Sequence, residues 1–419
     1  MGRFGARPRG LVGVDQVTVI LRLSLDVSAV PGNPVGAGRY TIHLAEALER
    51  RPDVALGLWC RRDDADRWRA VTRSDLDLPA RAQSGAVPRV RAVAPRRRPL
   101  RLVWEQTRLP GLLARTDAEV HHGPHYTMPQ RARLAQVVTI HDLTFFEHPE
   151  WHERSKVRVF RRAITVAARR ASALVCVSAR TATLLQERCR PAGRVFVIPH
   201  GLDHAQFRPQ EPSAGADEEV LARLGVHPPY IVFVGTLEPR KAVPDLVAAF
   251  DAVADSDADV SLVLVGGRGW GLTDIERSIR SARHADRVVR TGYVPDSAVP
   301  ALLRRAAVAA YPSVEEGFGL PALEALACGT PLVTTAGTAM AEVSGDAAVL
   351  VAPGAVAELS EALRSQLAGG PEVEGRRRRG LEVADGYTWE QCAEKHMDAY
   401  RWAADSYDGA GQGADGSDR

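Results

Sequence analysis

Two groups of charged residues in the second half of the chain have the types and spacing needed to bind a phosphorylated ligand. The first is the adjacent pair Arg240-Lys241, which follows a short apolar run ending at Val234. Neighbouring cations between a strand and a helix are suited to a diphosphate, because the free amide groups at the helix start add positive potential. The alternative is a basic turn exposed to solvent.

The second group is the segment Glu316-Gly-Phe-Gly-Leu-Pro-Ala-Leu-Glu324, in which two carboxylates bracket two glycines. Carboxylates beside bound phosphates would repel them, so we expect Glu316 and Glu324 to accept hydrogen bonds from neutral hydroxyls. A sugar nucleotide offers two such sets, the ribose diol and the hexose hydroxyls. The glycines leave backbone amides open to a ligand. Alternatively, Glu324 is only a favourable charge early in a helix that Pro321 begins.

These groups must be positioned by a scaffold. Short apolar runs that alternate with amphipathic stretches predict one made of strands and helices. The predicted strands of the first half are Val17–Leu25, Gln136–Ile140, Ala173–Val177 and Val195–Ile198. Those of the second half are Tyr230–Val234, Val260–Val265, Val288–Arg290, Val308–Tyr311, Pro331–Thr334 and Ala348–Val351, with helices such as Val243–Ala254 and Pro321–Ala327. Strands without polar alternation, separated by helices, indicate parallel sheets covered on both faces. We therefore predict an α/β protein of two doubly wound parallel-sheet domains facing a cleft, with ligands at the carboxyl ends of the strands.

The domain division is predicted from composition. Pro209, Pro212, Ser213 and Gly215 interrupt any periodicity in Gly201–Glu219, which indicates a linker. The first domain is placed at residues 1–205 and the second at 206–387. Residues 388–403 are assigned to a C-terminal helix, and the Gly-, Asp- and Ser-rich residues 404–419 to a disordered tail.

Composition excludes several classes of protein. No apolar run approaches the roughly 18–20 residues of a membrane-spanning helix, and the basic start lacks the apolar core of a signal peptide. The cysteines show no metal-ligand spacing, which argues against a zinc site or a disulfide scaffold: Cys60, Cys176, Cys189, Cys328 and Cys392. We expect a cytoplasmic protein.

Charge is distributed unevenly along the chain. Residues 1–200 carry 34 Lys and Arg against 18 Asp and Glu, whereas the remainder carries 20 against 33. The basic side chains form two clusters, one at Arg96–Arg98 with Arg101 and one on a helical stretch from Lys156 to Arg170. Such a helix can lie on an anionic membrane, or it can pack on its own sheet with a solvated basic face.

Two further motifs are weaker than they look. Asp255-Ser-Asp257-Ala-Asp259 has the spacing of a carboxylate metal site, but it precedes the strand Val260–Val265 at the amino edge of the sheet, where a solvated turn is expected. Gly267-Arg-Gly269-Trp-Gly271 has the wrong spacing for a dinucleotide fingerprint. We therefore predict no metal requirement and no cofactor.

Motifs along most of the chain make it resemble the family 4 (group 1) retaining glycosyltransferases of the GT-B fold, and bacterial mannosyltransferases in particular. They fall in family order over roughly residues 17–403 and comprise Gly36-Ala-Gly-Arg-Tyr40, His121-His-Gly-Pro-His125, Thr139-Ile-His-Asp-Leu143, Val177-Ser178, Ile198-Pro-His-Gly201, Phe233-Val-Gly-Thr-Leu-Glu-Pro-Arg-Lys241, Leu264-Val-Gly-Gly-Arg-Gly-Trp270, Gly292-Tyr-Val294 and Glu316 through Glu324. Ala242 departs from the pattern, because similar sequences often carry Asn there, and so does Ala37 in the glycine loop.

The resemblance implies a role for each matched position. Arg240 and Lys241, which follow Gly235, would hold the donor diphosphate, Glu316 the transferred hexose and Glu324 the ribose diol. His141 would lie by the hexose, although the residues alone equally allow a turn capped by Asp142 with His141 packed beside it. The remaining donor contacts would be Gly38 near the phosphates, the amides of Gly317, Phe318, Gly319 and Leu320 near sugar and phosphate, and Tyr293 and Val294 against the nucleobase.

The same resemblance implies the reaction. A hexose, with mannose from GDP-mannose expected, would move with retention to a glycan or lipid-linked acceptor in cell-surface polysaccharide or glycolipid biosynthesis. The leaving phosphate would help to deprotonate the acceptor hydroxyl. The C-terminal helix would cross back to the first domain. Expected partners are the donor, the acceptor and an anionic membrane at the inner face of the cell, with no nucleic acid. A UDP-sugar epimerase or phosphorylase-like enzyme, or a non-catalytic nucleotide-sugar-binding subunit, are the alternatives.

Overall fold

The protein contains two parallel β-sheets, which carry the two halves of the chain. The computed structural model describes residues 19–72, 89–210, 213 and 215–414. Within these residues the first sheet has seven strands in the order β3-β2-β1-β4-β5-β6-β7. Its strands are β1 (Leu21–Asp26), β2 (Val54–Arg61), β3 (Val90–Ala94), β4 (Val120–Gly123), β5 (Ala135–Ile140), β6 (Ala173–Cys176) and β7 (Arg194–Val197).

The second sheet has six strands in the order β10-β9-β8-β11-β12-β13 among the same described residues. Its strands are β8 (Tyr230–Val234), β9 (Ser261–Val265), β10 (Val288–Gly292), β11 (Val308–Tyr311), β12 (Leu332–Thr335) and β13 (Ala348–Val351). Both sheets reverse their order beside the first strand of the domain, which is the doubly wound topology predicted above, and this confirms the fold class.

The predicted strands are confirmed to within a few residues, although residues 17 and 18 of the first one lie outside the described part. β2, β3 and β4 were not singled out. β4 has the sequence Val-His-His-Gly and is buried along its whole length. Its two histidines make it look like a polar segment rather than an interior strand. Both are fully buried because they are hydrogen-bonded, His121 Nδ1 to Ser24 Oγ at 2.9 Å and His122 Nε2 to Thr139 Oγ1 at 2.8 Å.

Helices cover both faces of each sheet. Those of the first half are α1 (Ala37–Glu49), α2 (Ala65–Val71), α3 (Arg98–Thr107), α4 (Leu109–Leu113), α5 (Thr144–Glu147), α6 (Arg154–Arg170) and α7 (Ala179–Cys189). Those of the second half are α8 (Ala216–Leu224), α9 (Val243–Ala254), α10 (Leu272–Ser281), α11 (Val299–Arg304), α12 (Leu320–Ala327), α13 (Ala339–Ser344), α14 (Val356–Leu367), α15 (Pro371–Asp385) and α16 (Trp389–Ala414). Because the strands are buried on both sides, their apolar side chains form the core of each domain.

The C-terminal helix α16 packs on the first sheet although it follows the second domain in the chain. Met397 and Tyr400 join the same buried cluster as Leu23 and Leu44. Tyr400 Oη lies 2.8 Å from His122 Nδ1, so a buried hydrogen bond also ties the helix to β4. The helix continues to Ala414, which corrects the predicted start of the tail at residue 404. The helix packs on the sheet as far as Ala403, and it continues beyond that residue despite the polar composition. Residues 415–419 lie outside the described part.

The predicted linker Gly201–Glu219 is shorter than expected. α8 already begins at Ala216, inside the range assigned to the linker, while residues 211, 212 and 214 lie outside the described part. The domain boundaries themselves stay predictions. What matters for the site is that the loop after β5 in one domain meets the loop after β11 in the other, where Gly317 lies against His141.

Candidate active site

Arg240 and Lys241 lie in a short 3₁₀ turn, Pro239–Lys241, that connects β8 to α9. The turn ends at Ala242, which has a left-handed backbone with φ of 48°. A residue with a Cβ adopts that conformation at a cost of about 1–2 kcal/mol, and asparagine tolerates it better. This explains physically why asparagine would be favoured at the position where this chain carries alanine.

Glu316 bridges the two cations from the loop that follows β11. Its Oε2 accepts a hydrogen bond from Arg240 Nη1 at 2.6 Å, and its Oε1 accepts one from Lys241 Nζ. Arg240 Nε also lies 2.5 Å from Glu238 Oε1. Lys241 and Glu316 are both buried. Arg240, Lys241 and Glu316 form one compact cluster at the carboxyl edge of the second sheet.

The cluster sets the protonation of its members. Burial alone would raise the pKa of Glu316, but the charges of Arg240 and Lys241 outweigh it and lower that pKa to about 2. Burial disfavours the charged form of Arg240, yet Glu316 and Glu238 more than compensate and raise its pKa. Burial lowers the pKa of Lys241 despite the opposing charge of Glu316. Glu316 is therefore ionised at neutral pH.

The residue types alone did not predict this pairing, in which Glu316 contacts the two cations that the resemblance assigns to the diphosphate. Each carboxylate oxygen of Glu316 accepts one hydrogen bond from a cation and has a second lone pair that can accept from a hydroxyl. Glu316 can thus accept from a sugar while it holds Arg240 and Lys241 in place.

Glu324 lies on α12 and is paired across the cleft rather than within its own domain. Its Oε1 lies 2.8 Å from Nη1 of Arg39, on the first turn of α1. Both side chains are largely buried, with 4% of the Glu324 side chain and 21% of the Arg39 side chain exposed. Arg39 belongs to the motif Gly36–Tyr40, but nothing in the sequence indicated a partner 285 positions away.

The two domains touch directly where Gly317 meets His141. A Cβ added to Gly317 would lie 2.1 Å from the carbonyl oxygen of His141, closer than real side chains approach. Thr181 Oγ1, on α7, donates to Gly317 O at 3.3 Å. Only glycine fits between the domains at this position.

His141 follows β5, and its ring is oriented by the neighbouring loop. Nε2 donates to the carbonyl oxygen of Pro124 at 2.7 Å, which leaves Nδ1 unprotonated in the neutral ring. Burial lowers the pKa of His141, so the neutral form is favoured at pH 7. Asp142 Oδ1 accepts from Thr144 N at 3.1 Å and Thr144 Oγ1 at 2.8 Å, which is the turn-capping role considered from sequence. A neutral histidine with a free acceptor nitrogen can hold a sugar hydroxyl.

The other predicted donor residues lie in loops and at helix starts of both domains. Gly38 is in the first turn of α1, packed against Pro34, and Gly235 lies beside the Lys241 side chain. Gly319 caps α12 with φ of 110°, and Phe318 and Leu320 flank it.

The predicted nucleobase contacts differ in exposure. Tyr293 is 63% exposed and free to cover a ligand, whereas the Val294 side chain is buried in the core, so only its backbone could meet a nucleobase.

Sequence reasoning missed the charged contacts that hold the domains together. Arg180 Nε and Nη2 bind both oxygens of Glu315 at 2.9 and 2.7 Å. Glu342, on α13, accepts from the backbone N–H groups of Ala179 and Arg180 at 2.8 and 3.1 Å, and so caps a helix of the other domain. The one available signal was the doubled carboxylate Glu315-Glu316, which does not identify a partner.

His200 was quoted only as part of a motif, yet it lies between the domains. Its ring is 4.8 Å from that of Tyr40 and 4.6 Å from that of Phe318. Neither ring nitrogen has a hydrogen-bond partner among the described residues. Burial holds the pKa of His200 well below its usual range.

The weaker motifs have structural roles. Asp255 pairs with Arg283 and His284, and Asp257 caps its own turn before β9, as expected of a solvated turn. The loop Gly266–Gly271 packs on the loop after β8, with Gly266 against Gly235 O and Gly269 against Leu237 O. Across the described residues, no three His, Cys, Asp or Glu side chains are grouped as a metal ion would require.

The geometry invites comparison with known proteins. Residues 34–206 match the family model described as Glycosyltransferase Family 4, and residues 228–368 match Glycosyl transferases group 1. The O-antigen chain mannosyltransferase B of Escherichia coli is 30% identical over 286 residues, which cover 67% of this chain and 74% of that protein. The chain belongs to the family 4 glycosyltransferases.

Other proteins similar to this glycosyltransferase carry names that describe other activities. The 2-deoxystreptamine glucosyltransferase of Streptomyces kanamyceticus is 32% identical over 224 residues, 52% of this chain and 56% of that protein. Among solved structures, sucrose-phosphate synthase from Thermosynechococcus elongatus superposes with a TM-score of 0.71 at 21% identity, covering 91% of this chain and 98% of that one. This likeness confirms the GT-B fold of the glycosyltransferase.

The described helices of the glycosyltransferase were also compared with what a bilayer requires. None of them is both long and apolar enough to cross a membrane.

Proposed function

We propose that this glycosyltransferase moves a hexose from a nucleotide sugar to an acceptor hydroxyl with retention of configuration. The observation that carries the proposal is the buried cluster of Arg240, Lys241 and Glu316 on one domain, held against His141 of the other by the Gly317 contact. The cluster supplies positive charge for a diphosphate and carboxylate oxygens for sugar hydroxyls at a single point of the cleft.

Each side chain has a defined role in this proposal. Arg240 and Lys241 bind the diphosphate and stabilise the negative charge that grows on it as the sugar leaves. Glu316 accepts from hexose hydroxyls, and Glu324 accepts from the ribose diol. His141 offers Nδ1 to a further hexose hydroxyl. The amides of residues 317–320, together with Gly38, meet sugar and phosphate, while Tyr293 and the Val294 backbone meet the nucleobase.

Retention follows from attack on the same face from which the phosphate leaves. The bond between the anomeric carbon and the β-phosphate oxygen breaks, and the acceptor oxygen forms the new bond to that carbon. The acceptor proton passes to the leaving phosphate oxygen. Glu316 is a poor covalent nucleophile, because both its oxygens hold cations. Glu316 and Glu238 hold Arg240 and Lys241 in fixed positions from which both can donate to the diphosphate, and we propose a metal-independent reaction without a cofactor.

The proposed donor is GDP-mannose, and the proposed acceptor is a glycan or a lipid-linked glycan of a cell-surface polysaccharide or glycolipid. Similarity to the O-antigen mannosyltransferase over two thirds of the chain supports this choice. The glucosyltransferase relative makes a glucose donor the second candidate.

Donor choice is tested by thermal shift and isothermal titration with GDP, UDP, ADP and dTDP and their sugars, with and without EDTA. We expect GDP and GDP-mannose to bind selectively and equally well in EDTA. Preference for UDP-glucose would overturn the mannose assignment while keeping the reaction class. Binding to none of the nucleotides would overturn the catalytic assignment in favour of a non-catalytic subunit, and turnover of a UDP-sugar without acceptor would indicate an epimerase or phosphorylase.

A lipid-linked acceptor also requires access to a membrane, and we propose that the face formed by α3 and α6 provides it at the inner side of the cell membrane. α6 packs its apolar side on its own domain through Phe160 and Ile164, as an ordinary amphipathic helix does. Three aliphatic side chains nevertheless point outward: Leu100 at 54% exposure, Val103 at 59% and Val159 at 46%. The same two segments carry exposed arginines: Arg96, Arg97, Arg98, Arg158 and Arg162.

This face is close to the acceptor side of the cleft. The Arg98 guanidinium lies 5.2 Å from the Phe160 ring centre, Phe160 is 5.6 Å from Tyr126, and Tyr126 is 5.6 Å from His141. Exposed aliphatic side chains on arginine-rich segments suit an anionic bilayer, where each basic residue near the surface contributes roughly 1 kcal/mol. The rings of Phe160 and Tyr126 therefore lie between Arg98 on this face and His141 in the cleft.

Flotation with vesicles of phosphatidylcholine, with or without 30 mol% phosphatidylglycerol, tests the membrane proposal. We expect binding only to the anionic vesicles, lost at high salt and reduced about tenfold or more in a Leu100→Glu/Val159→Glu variant. Leu350→Glu, at a site 43% exposed on the second domain, is the control and should bind like the wild type. Equal binding of all three proteins, or no binding at low salt, would contradict the proposal.

A further inference from the structure

Arg39 forms an ion pair with Glu324 from the opposite domain. Nη1 of Arg39 lies 2.8 Å from Oε1 of Glu324 as an ion pair, and no described residue donates a well-aligned hydrogen bond to that buried oxygen. No described residue donates a hydrogen bond to Oε2, the second oxygen of the same carboxylate. Arg39 therefore occupies one side of Glu324 and leaves the other side for a ligand.

The position of Arg39 is itself fixed by its surroundings. It lies on the first turn of α1, and its guanidinium carbon is 5.8 Å from the Phe207 ring centre. Asp203 in the segment after β7 and Asp296 in the turn after β10 add favourable charge around it. A guanidinium held in this way keeps a constant direction toward Glu324, because its donors are arranged in a rigid plane.

We propose that Arg39 is a positioning residue of the nucleotide site, which orients Glu324 and holds it as a carboxylate so that Oε2 accepts the ribose diol. The inference rests on the proposed function, in which Glu324 binds the ribose. It adds a residue of the first domain to a nucleotide site built on the second. Full affinity for the ribose then requires the two domains to be in contact.

The physical basis is the cost of a buried charge. Glu324 is 3% exposed, and burial raises its pKa even though Arg39 opposes the shift. Removal of Arg39 would take away that opposing charge and raise the pKa further. A protonated carboxyl is a weaker acceptor for a hydroxyl than a carboxylate, because hydrogen bonds to charged groups are the stronger ones.

Other charged and titratable groups face Glu324 and must be controlled. They are His43 on α1, Asp296 after β10, Tyr311 on β11 and Cys328 at the end of α12. Tyr311 and Cys328 are buried with their pKa values raised, so both stay neutral across the useful pH range. His43 is the group that needs a control variant.

The experiment measures the ribose contribution by itself. Dissociation constants are determined by titration calorimetry for GDP and 2′,3′-dideoxy-GDP, and for the UDP pair, between pH 5.5 and 8.0. The ratio of the two constants isolates the diol, because every other contact is shared. For the wild type we expect a ratio of about ten or more at pH 7.5, equivalent to about 1.4 kcal/mol. The ratio should decrease as the pH falls through the pKa of Glu324, since the ionised form is needed.

Arg39→Met is expected to lower the ratio to about two at pH 7.5 and to move the decrease to higher pH. Arg39→Lys should restore part of the ratio and part of the pH profile, because lysine keeps the positive charge. A merely structural role of Arg39 would not require this recovery. Arg50→Met, an exposed arginine directly after the same helix, and His43→Gln are the controls and should keep the wild-type ratio and profile.

Three outcomes would overturn the inference. A wild-type ratio and profile in Arg39→Met would show that Glu324 needs no help from Arg39. Tighter GDP binding in that variant would show that Arg39 competes with the ribose. A wild-type ratio near one would overturn the inference together with the ribose role of Glu324, and this failure is distinguishable because it appears before any substitution.

Discussion

Lys241→Met is expected to lower kcat for hexosyl transfer by about 10²–10³-fold, the range seen when one preorganised group that stabilises developing charge is removed. Lys241 is buried beside Glu316, so no solvent cation can replace it. The rate is measured with saturating donor by following nucleoside diphosphate release. Lys395→Met removes an exposed lysine on α16 and is the control, which should retain the wild-type rate.

The cluster also predicts a difference in stability between its members. Glu316→Ala leaves Lys241 buried without its carboxylate, and breaking a buried pair in this way costs roughly 3–5 kcal/mol. Lys241→Met leaves Glu316 paired with Arg240, so its free energy of unfolding should change less. A wild-type transfer rate in Lys241→Met would contradict the proposed function.

Gly317→Ala is expected to lower kcat by about 10²-fold or more. The affinity for the free nucleoside diphosphate should fall by a smaller factor, because separation of the domains also loosens the contact between Arg39 and Glu324. The added Cβ would lie 2.1 Å from the His141 carbonyl oxygen, so the domains must separate to accommodate it. A misplacement of about 1 Å between reacting groups can by itself cost about 10²-fold. Steady-state kinetics and calorimetry with the preferred nucleotide measure the two quantities.

Gly111→Ala is the matched control, because a Cβ at Gly111 in α4 meets nothing within 4 Å. Its rate should equal that of the wild type. Small-angle scattering adds a structural readout, in which Gly317→Ala should have the larger radius of gyration. Unchanged kcat in Gly317→Ala would show that the contact between Gly317 and His141 is not needed for the reaction.

Much of the architecture could be predicted from local patterns. Tyr230–Val234, Val308–Tyr311 and Ala348–Val351 were predicted with the bounds that the structure has. An interior parallel strand is an uninterrupted apolar run, and this property is visible in a few consecutive residues. β4 was missed for the same reason, since its histidines are polar until their partners Ser24, Thr139 and Tyr400 are known.

The position of the site was predictable for a topological reason. Arg240-Lys241 and Glu316 each follow a predicted strand, and the carboxyl ends of parallel strands share one edge of the sheet. The residue types then indicated phosphate and hydroxyl ligands. No three-dimensional information was needed to place these groups on the same side of the second domain.

The sequence by itself thus determined the family, the two parallel-sheet domains and the edge of the sheet that carries the candidate site. Only the tertiary structure decided the partners: Glu316 on both cations, Arg39 on Glu324, Arg180 on Glu315 and Gly317 against His141. Strand and helix patterns arise from neighbours along the chain, so they can be read from it. Ion pairs between domains depend on how two separate sheets and their helices meet, and residues more than 130 positions apart carry no local sign of that geometry.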